Sequence, residues 1–370
     1  MQIRYFAHSW LSDWNHGNAH FLRGLVSALA RCGHTVRVYE AMPAAAGGWS
    51  LAHLRAEPNG AEAISQVRAA YPELDLRCYG PGASGPECVH DWDAELRGAD
   101  LVVVHEWNEP ELLEWLLPRR RRFGFRLLLH DTHHRALSQP ETLQRLPLAA
   151  LDGVLAFGES LRRLYEGWGV RRSFTFHEAA DTERFFPLPP APQCALVWIG
   201  NWGDGERTRE LHQFLLEPVR SAGLSAQVYG VRYPAAAQAQ LAACNIAYGG
   251  YLPNLQAPLA YAAAQFTLHL PRAPYTQALP GIPTIRMFEA LACGVPLLCP
   301  PWNDTEALFE AGADYWQARD GGEMTALMMQ LLRQEEQRIL LGRHGTATIR
   351  ARHTCAHRAQ QLEAICRDLD

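Results

Sequence analysis

Arg286 and Glu289 stand three residues apart in the stretch Pro280-Gly281-Ile282-Pro283-Thr284-Ile285-Arg286-Met287-Phe288-Glu289-Ala290-Leu291-Ala292-Cys293-Gly294-Val295-Pro296. On a helix that spacing puts a cation and a carboxylate on one side. Ile285, Phe288, Leu291 and Ala292 keep helical spacing, Pro283 suits a first turn, and Gly294 stands where a left-handed cap ends a helix. Apolar runs at 266–270 and 295–299 flank the stretch. Strand, loop, helix and strand make a parallel-sheet unit whose loop lies at the carboxyl edge of the sheet, where such folds bind ligands. A helix start placed there suits a phosphate.

Other residues could serve the same chemistry. Gly200-Asn201-Trp202-Gly203-Asp204-Gly205 follows an apolar run at 195–199, and its glycines suit a loop over phosphate without matching the dinucleotide or P-loop spacing. Arg207 and Arg209 come just beyond, where either can reach a diphosphate at the central helix terminus. Gly17 precedes an early helix; it either lets a backbone amide approach phosphate or serves only the turn. The run at 126–129 delivers His130-Asp131-Thr132-His133-His134 to a sheet edge. That pattern matches no standard zinc signature, and a strand-end histidine touching substrate is the better reading of His130. Trp10, Trp14, Trp202 and Trp302 occupy loop positions where an indole either stacks on a ring or packs inward.

The elements that position these residues form two series. Strands at 3–7, 36–39, 101–104, 126–129, 153–157 and 173–176 alternate with helical patterns, one of them closing in Cys32-Gly33-His34. A second series has strands at 195–199, 226–229, 247–248, 266–270 and 295–299. The prolines of 179–192 read as a linker. The expected architecture is α/β, with two Rossmann-like doubly wound domains, 1–187 and 188–350, and a final helical segment, 351–370, packing back on the first. Residues 44–91, rich in Ala, Gly and Pro, read as a variable excursion. Arg119 to Arg122 read as a solvated helix end.

Of the 370 residues 48% are hydrophobic and 20% charged, with net charge -5, which places the chain among globular proteins and against nucleic-acid binding. Nine scattered cysteines without C-x-x-C spacing suit reduced thiols and a cytoplasmic setting. No apolar run is long enough to span a bilayer, so membrane contact is peripheral at most.

Cys32-Gly33-His34-Thr35-Val36, Asp181-Thr182-Glu183-Arg184-Phe185-Phe186-Pro187 and Phe288-Glu289-Ala290-Leu291-Ala292-Cys293-Gly294-Val295-Pro296 together resemble GT-B glycosyltransferases of the family 4, or group 1, type, with the closest look to the CgeB-like branch. The resemblance covers nearly the whole chain. It implies a nucleotide-sugar donor in an interdomain cleft, held largely by the second domain, and an acceptor on the first that is a glycan, a lipid-linked molecule or a small molecule. It implies that Glu289 binds ribose hydroxyls and that Arg207 or Arg209, with Arg286, meets the diphosphate. It also implies that His130 lies near the reacting sugar. The family pattern has a second glutamate eight residues earlier; here that position is Gly281, and amides of Gly281, Ile282 and Thr284 could stand in by binding sugar hydroxyls or phosphate. The implied reaction is retaining and needs no metal or cofactor. Two rivals share the architecture: a nucleotide-sugar epimerase using Glu106, Asp131 and Glu178, and a nucleotide-sugar-binding protein without catalysis.

Overall fold

The computed structural model describes residues 1–42, 50–80, 82–83, 86–203 and 205–369. The chain forms two compact units, Met1–Glu178 with Cys355–Asp370, and Ala179–Thr354.

The first unit is built on seven parallel strands: β1 (Gln2–Ala7), β2 (Thr35–Ala41), β3 (Asp75–Tyr79), β4 (Leu101–His105), β5 (Arg126–Asp131), β6 (Gly153–Ala156) and β7 (Ser173–Thr175), in the order β3-β2-β1-β4-β5-β6-β7. The run Leu101-Val102-Val103-Val104 is buried throughout, as a strand covered on both faces must be. Strand order reverses between β1 and β4. His8 and Glu106-Trp107, which follow those strands, therefore stand at the topological switch point, where doubly wound sheets bind ligands. The helix Cys355–Asp368 packs against the helix Ala19–Arg31, with Gln361 Nε2 donating to Thr175 O at 2.8 Å and His34 Nε2 paired with Glu363 Oε1 at 2.7 Å.

Within 44–91 the described part is regular: helices Ser50–Ala56 and Gly60–Ala70, then the edge strand β3. Residues 44–49 of the expected excursion lie outside the described residues. The arginines of 119–122 mostly face carboxylates: Arg120 forks onto Asp152 at 2.5 and 2.9 Å, and Arg119 and Arg122 both pair with Asp93.

The second unit has six parallel strands, β8 (Cys194–Ile199), β9 (Ala226–Tyr229), β10 (Ile246–Tyr248), β11 (Ala264–Leu268), β12 (Leu297–Cys299) and β13 (Trp316–Gln317), ordered β10-β9-β8-β11-β12-β13. Leu196, Trp198, Phe214, Val228, Phe266, Leu298 and Met328 are among its buried core. Here the reversal falls between β8 and β11, so the loops beginning at Gly200 and His269 meet at the switch point. A helix follows directly on Arg207, running Thr208–Leu211, a π-helical turn His212–Leu216, and Glu217–Ala222. Such π turns are frequent near functional sites.

Candidate active site

The helix carrying Arg286 and Glu289 is Ile285–Ala292, which starts two residues beyond the Pro283 that the sequence suggests for its first turn. Thr284 is its extended cap, with φ -84° and ψ 162°, which leaves Pro283 ahead of the helix instead of inside it. Gly294 is left-handed at φ +69°, in keeping with a helix stop. Arg286 and Glu289 hold each other: Arg286 Nη1 donates to Glu289 Oε2, and Asn254 Nδ2 donates to Oε1 at 3.2 Å. Glu289 is 0% exposed, whereas the Arg286 side chain keeps 23% of its surface. A carboxylate presents two acceptor oxygens with two lone pairs each. Of the pair, Arg286 is the member that keeps exposed surface.

Two of the three candidate amides ahead of this helix are already used. Gly281 N donates to Asn303 O at 2.8 Å, and Thr284 N donates to His269 Nε2 at 3.2 Å. That bond makes Nε2 of His269 the acceptor and leaves Nδ1–H to face Cys299 Sγ at 3.3 Å. Burial, with Arg207 nearby, pushes the His269 pKa down to about 3, so the ring is neutral. Trp302 Nε1 donates to Ile282 O at 3.2 Å, which ties the 280–284 loop to the next one. Gly281 itself sits at φ +86°, and an added Cβ would lie 2.6 Å from Thr305 Oγ1 and 2.9 Å from Glu306 Cγ. A glutamate cannot be accommodated there without strain. Gly281→Glu should destabilise the fold by about 1–3 kcal/mol and leave activity no higher, which thermal unfolding and an assay check together.

Arg207 and Arg209 part company. Arg209 is 85% exposed and reaches only Glu210, at 3.7 Å. Arg207 turns inward: Nη1 donates to Leu270 O at 2.9 Å, the guanidinium lies 5.3 Å from the centre of the Trp198 ring, and Nε is shut off from solvent with no partner. Burial, then the charges of Arg272 and Arg286, push its pKa down to about 9, still cationic at neutral pH. Arg272 is one of the residues the sequence reading missed. It follows β11, donates to Gly203 O at 3.2 Å and pairs with Glu206 at 2.5 Å. Gly203 is needed where it is, at φ +96° with an added Cβ 2.8 Å from Arg207 Cγ. Gly200 and Asn201 build the neighbouring loop: Gly200 N donates to Tyr229 O at 2.8 Å, and Asn201 Oδ1 accepts from Val231 N at 2.9 Å. Trp10, Trp202 and Trp302 are all buried. Arg207 thus lies near enough to Arg272 and to Arg286 for the charge of each to act on it. Such a set suits an anion.

In the first unit, Gly17 lies in the turn before the helix Ala19–Arg31, and its neighbour Asn18 donates to Thr132 Oγ1 at 2.6 Å. His130 is wholly buried at the end of β5, its Nδ1 bonded to the Tyr5 hydroxyl and its Nε2 without a partner. Burial lowers its pKa to about 3, which makes it a neutral orienting group and a poor base at neutral pH. Burial, and then Arg135, lower that of His8 to about 4; burial first, with charged neighbours after it, holds His16 and His105 well below the usual range. Glu106 and Asp131 lie side by side. Burial lifts Asp131 to about 6, and burial together with Asp131 lifts Glu106 well above the usual carboxyl range.

These groups act in opposite directions on stability. The four histidines stay neutral when folded but take protons when unfolded below about pH 6.5, so they withdraw stability as pH falls from there toward 4. The two carboxyls, whose folded pKa values are raised, withdraw it as pH rises through about 6. Histidines outnumber carboxyls, and the expected net result is a fall in melting temperature between pH 6.5 and 4. Thermal unfolding across that range checks it; a flat or rising profile contradicts the burial of these rings.

Two Rossmann-like doubly wound α/β units are the fold of GT-B glycosyltransferases. Residues 207–364 match the family described as Glycosyl transferase-like. No curated protein sequence matches the chain. Among solved structures, sucrose-phosphate synthase from Thermosynechococcus elongatus is similar with a TM-score of 0.69 at 14% identity, covering 100% of this chain and 99% of that one. Anabaena HepE in complex with UDP gives 0.63 at 13% identity, with 100% of both chains covered. A mutant of T4 phage BGT in complex with UDP-glucose gives 0.61 at 12%, again over 100% of each. At such identities the likeness concerns the fold. Among the described residues no helix is long and apolar enough to cross a membrane.

Proposed function

We propose that this chain is a glycosyltransferase that moves a sugar from a nucleoside diphosphate donor to an acceptor hydroxyl. The observation that carries the reading is Arg207, a half-buried arginine with no carboxylate bonded to it among the described residues, whose guanidinium feels the charges of two further arginines at the switch point of the second sheet. A diphosphate relieves that repulsion. As the bond from the anomeric carbon to the phosphate oxygen breaks, negative charge grows on the leaving group, and fixed cations aimed at it lower the barrier. The new bond joins the same carbon to the acceptor oxygen, whose proton passes to the departing phosphate on the same face. The configuration is thereby retained, and three arginines take the part a metal would otherwise play.

Glu289 receives the ribose hydroxyls in this reading. Arg286, its present partner, swings onto the phosphates and uncovers it. The family-like match over 207–364, which begins at Arg207, supports placing the donor in the second unit, as do similar folds crystallised with UDP or UDP-glucose. The sequence pattern around Phe288 supports reading the protein as one of the CgeB-like branch, and its nine cysteines suit work in the cytoplasm.

The test is incubation with labelled nucleotide sugars in the presence of EDTA, with and without an acceptor panel. Transfer that needs acceptor, survives EDTA and keeps the anomeric configuration is the expected result. Conversion of the donor to its epimer without acceptor, or binding with no turnover on any acceptor, contradicts it.

A further inference from the structure

The edge of the first sheet differs in kind from that of the second. Its switch point, between β1 and β4, holds Trp107, one of the few large apolar side chains left exposed, at 41%. The Arg135 guanidinium lies over the indole, 4.2 Å from the ring centre, and its Nη1 donates to Glu106 O at 3.0 Å and to Glu106 Oε2 at 3.1 Å. That clamp fixes the plane of the indole before anything binds, so little side-chain freedom is lost on stacking. The ring of His133 stands 5.4 Å from Trp107, and that of His8 stands 6.2 Å away. His8 in turn lies 5.6 Å from His105.

Behind the indole are polar atoms with nothing to bond. His8 Nδ1, His105 Nδ1 and Glu106 Oε1 are all shut off from solvent and, among the described residues, have no partner. His105 is 0% exposed and Glu106 3%. Orphaned groups of this kind are rare in folded proteins and call for a ligand, or water, that completes them.

We propose that Trp107, His8, His105 and Glu106 form the binding plate of an uncharged carbohydrate, which is the acceptor of the transfer reaction proposed above. A pyranose has an apolar face of ring C–H groups and a rim of hydroxyls. The face suits the exposed indole, and the rim suits imidazole nitrogens and a carboxyl that can each donate or accept. Small side-chain rotations at such a surface are common on binding and bring the rim to the buried atoms. An anionic acceptor suits the plate poorly. The imidazoles here are neutral, and the nearest guanidinium, that of Arg135, is committed to Glu106. The arginine cluster of the second unit is the reverse case, so each sheet edge has the electrostatics of a different half of the reaction.

Because the inference rests on glycosyl transfer, its test leaves the donor out. Saturation-transfer NMR is run on the whole chain, without nucleotide, against glucose, galactose, N-acetylglucosamine and their disaccharides, and against glucose 6-phosphate and glucuronate. At least one neutral saccharide should receive saturation on its ring protons, and Trp107→Ala should weaken that binding roughly tenfold, with Trp107→Phe keeping part of it. A parallel nucleotide titration should be unchanged in Trp107→Ala, which shows the fold intact and tests the donor reading separately. Glu106→Gln should alter which hydroxyls are protected without abolishing stacking. No binding by any neutral saccharide, tighter binding by the phosphorylated or carboxylated sugars, or undiminished binding by Trp107→Ala each overturns the proposal, whatever the nucleotide titration gives.

Discussion

Arg207→Met should lower sugar transfer by about 10²–10³-fold while leaving the protein as stable as before or more so. The two halves of that expectation come from the same geometry. Arg207 is a half-buried cation without a carboxylate bonded to it among the described residues, and desolvation and two neighbouring arginines already pull its pKa down to about 9. Its loss removes repulsion from the folded state, while methionine fills similar volume beside Trp198. In the proposed reading, what disappears is charge aimed at a leaving diphosphate. A residue kept for folding would show the opposite pattern, with stability falling and turnover per folded molecule preserved. Thermal unfolding and kcat of the purified variant decide between them. Arg209→Met is the internal control: at 85% exposure and with only Glu210 nearby, it should change neither by much.

Glu289→Ala should be damaging in two ways. Removing one member of a buried ion pair strands the other, and here both Arg286 and Asn254 lose an acceptor, so a loss of about 3–5 kcal/mol is expected. Nucleotide affinity should fall as well, by roughly 10–100-fold if two ribose hydrogen bonds to a carboxylate go. Separating these effects requires removing both charges. The double variant Arg286→Leu, Glu289→Leu leaves no stranded charge and should regain much of the stability, yet it should still fail to bind nucleotide. Recovery of binding in that double variant would mean that Glu289 is a packing device only.

Much of the fold was legible because buried parallel strands are short apolar runs between helical patterns. Leu101-Val102-Val103-Val104 and Arg126-Leu127-Leu128-Leu129 are examples, and both stand where the runs place them. Two doubly wound domains were readable from that pattern, whereas the GT-B architecture came from the resemblance carried by the 288–296 stretch and its companions. Two edge strands escaped. β3 reads Asp-Leu-Arg-Cys-Tyr, with charges outward and only alternate residues buried, and β13 has two residues. Edge strands lack a second covering layer, so they lack the continuous apolar signature.

The site was legible in part, for a related reason. Helical spacing was enough to set Arg286 beside Glu289, but not to say that they would be bonded to each other. Nothing in the local sequence separates Arg207 from Arg209; the difference lies in tertiary contacts with Leu270 and Trp198, from strands far apart in the chain. Arg272 and Asn254 were missed because the first sits in a loop and the second opens a short 3-10 helix, neither with a motif, and each gains meaning only from what folds against it. Trp107 was passed over in favour of four other tryptophans, three of which turned out to be buried. Exposure of an indole is a property of the assembled sheet edge.

The central claim is that the arginine cluster of the second unit holds a nucleoside diphosphate. Calorimetric titration with UDP, GDP, ADP, CDP and dTDP, in EDTA, tests it most directly, with wild type and Arg207→Met measured side by side. One diphosphate should bind the wild type, and the variant should bind it at least about tenfold more weakly while remaining folded. Binding of none of the five to the wild type, or equal binding to both proteins, would contradict the assignment.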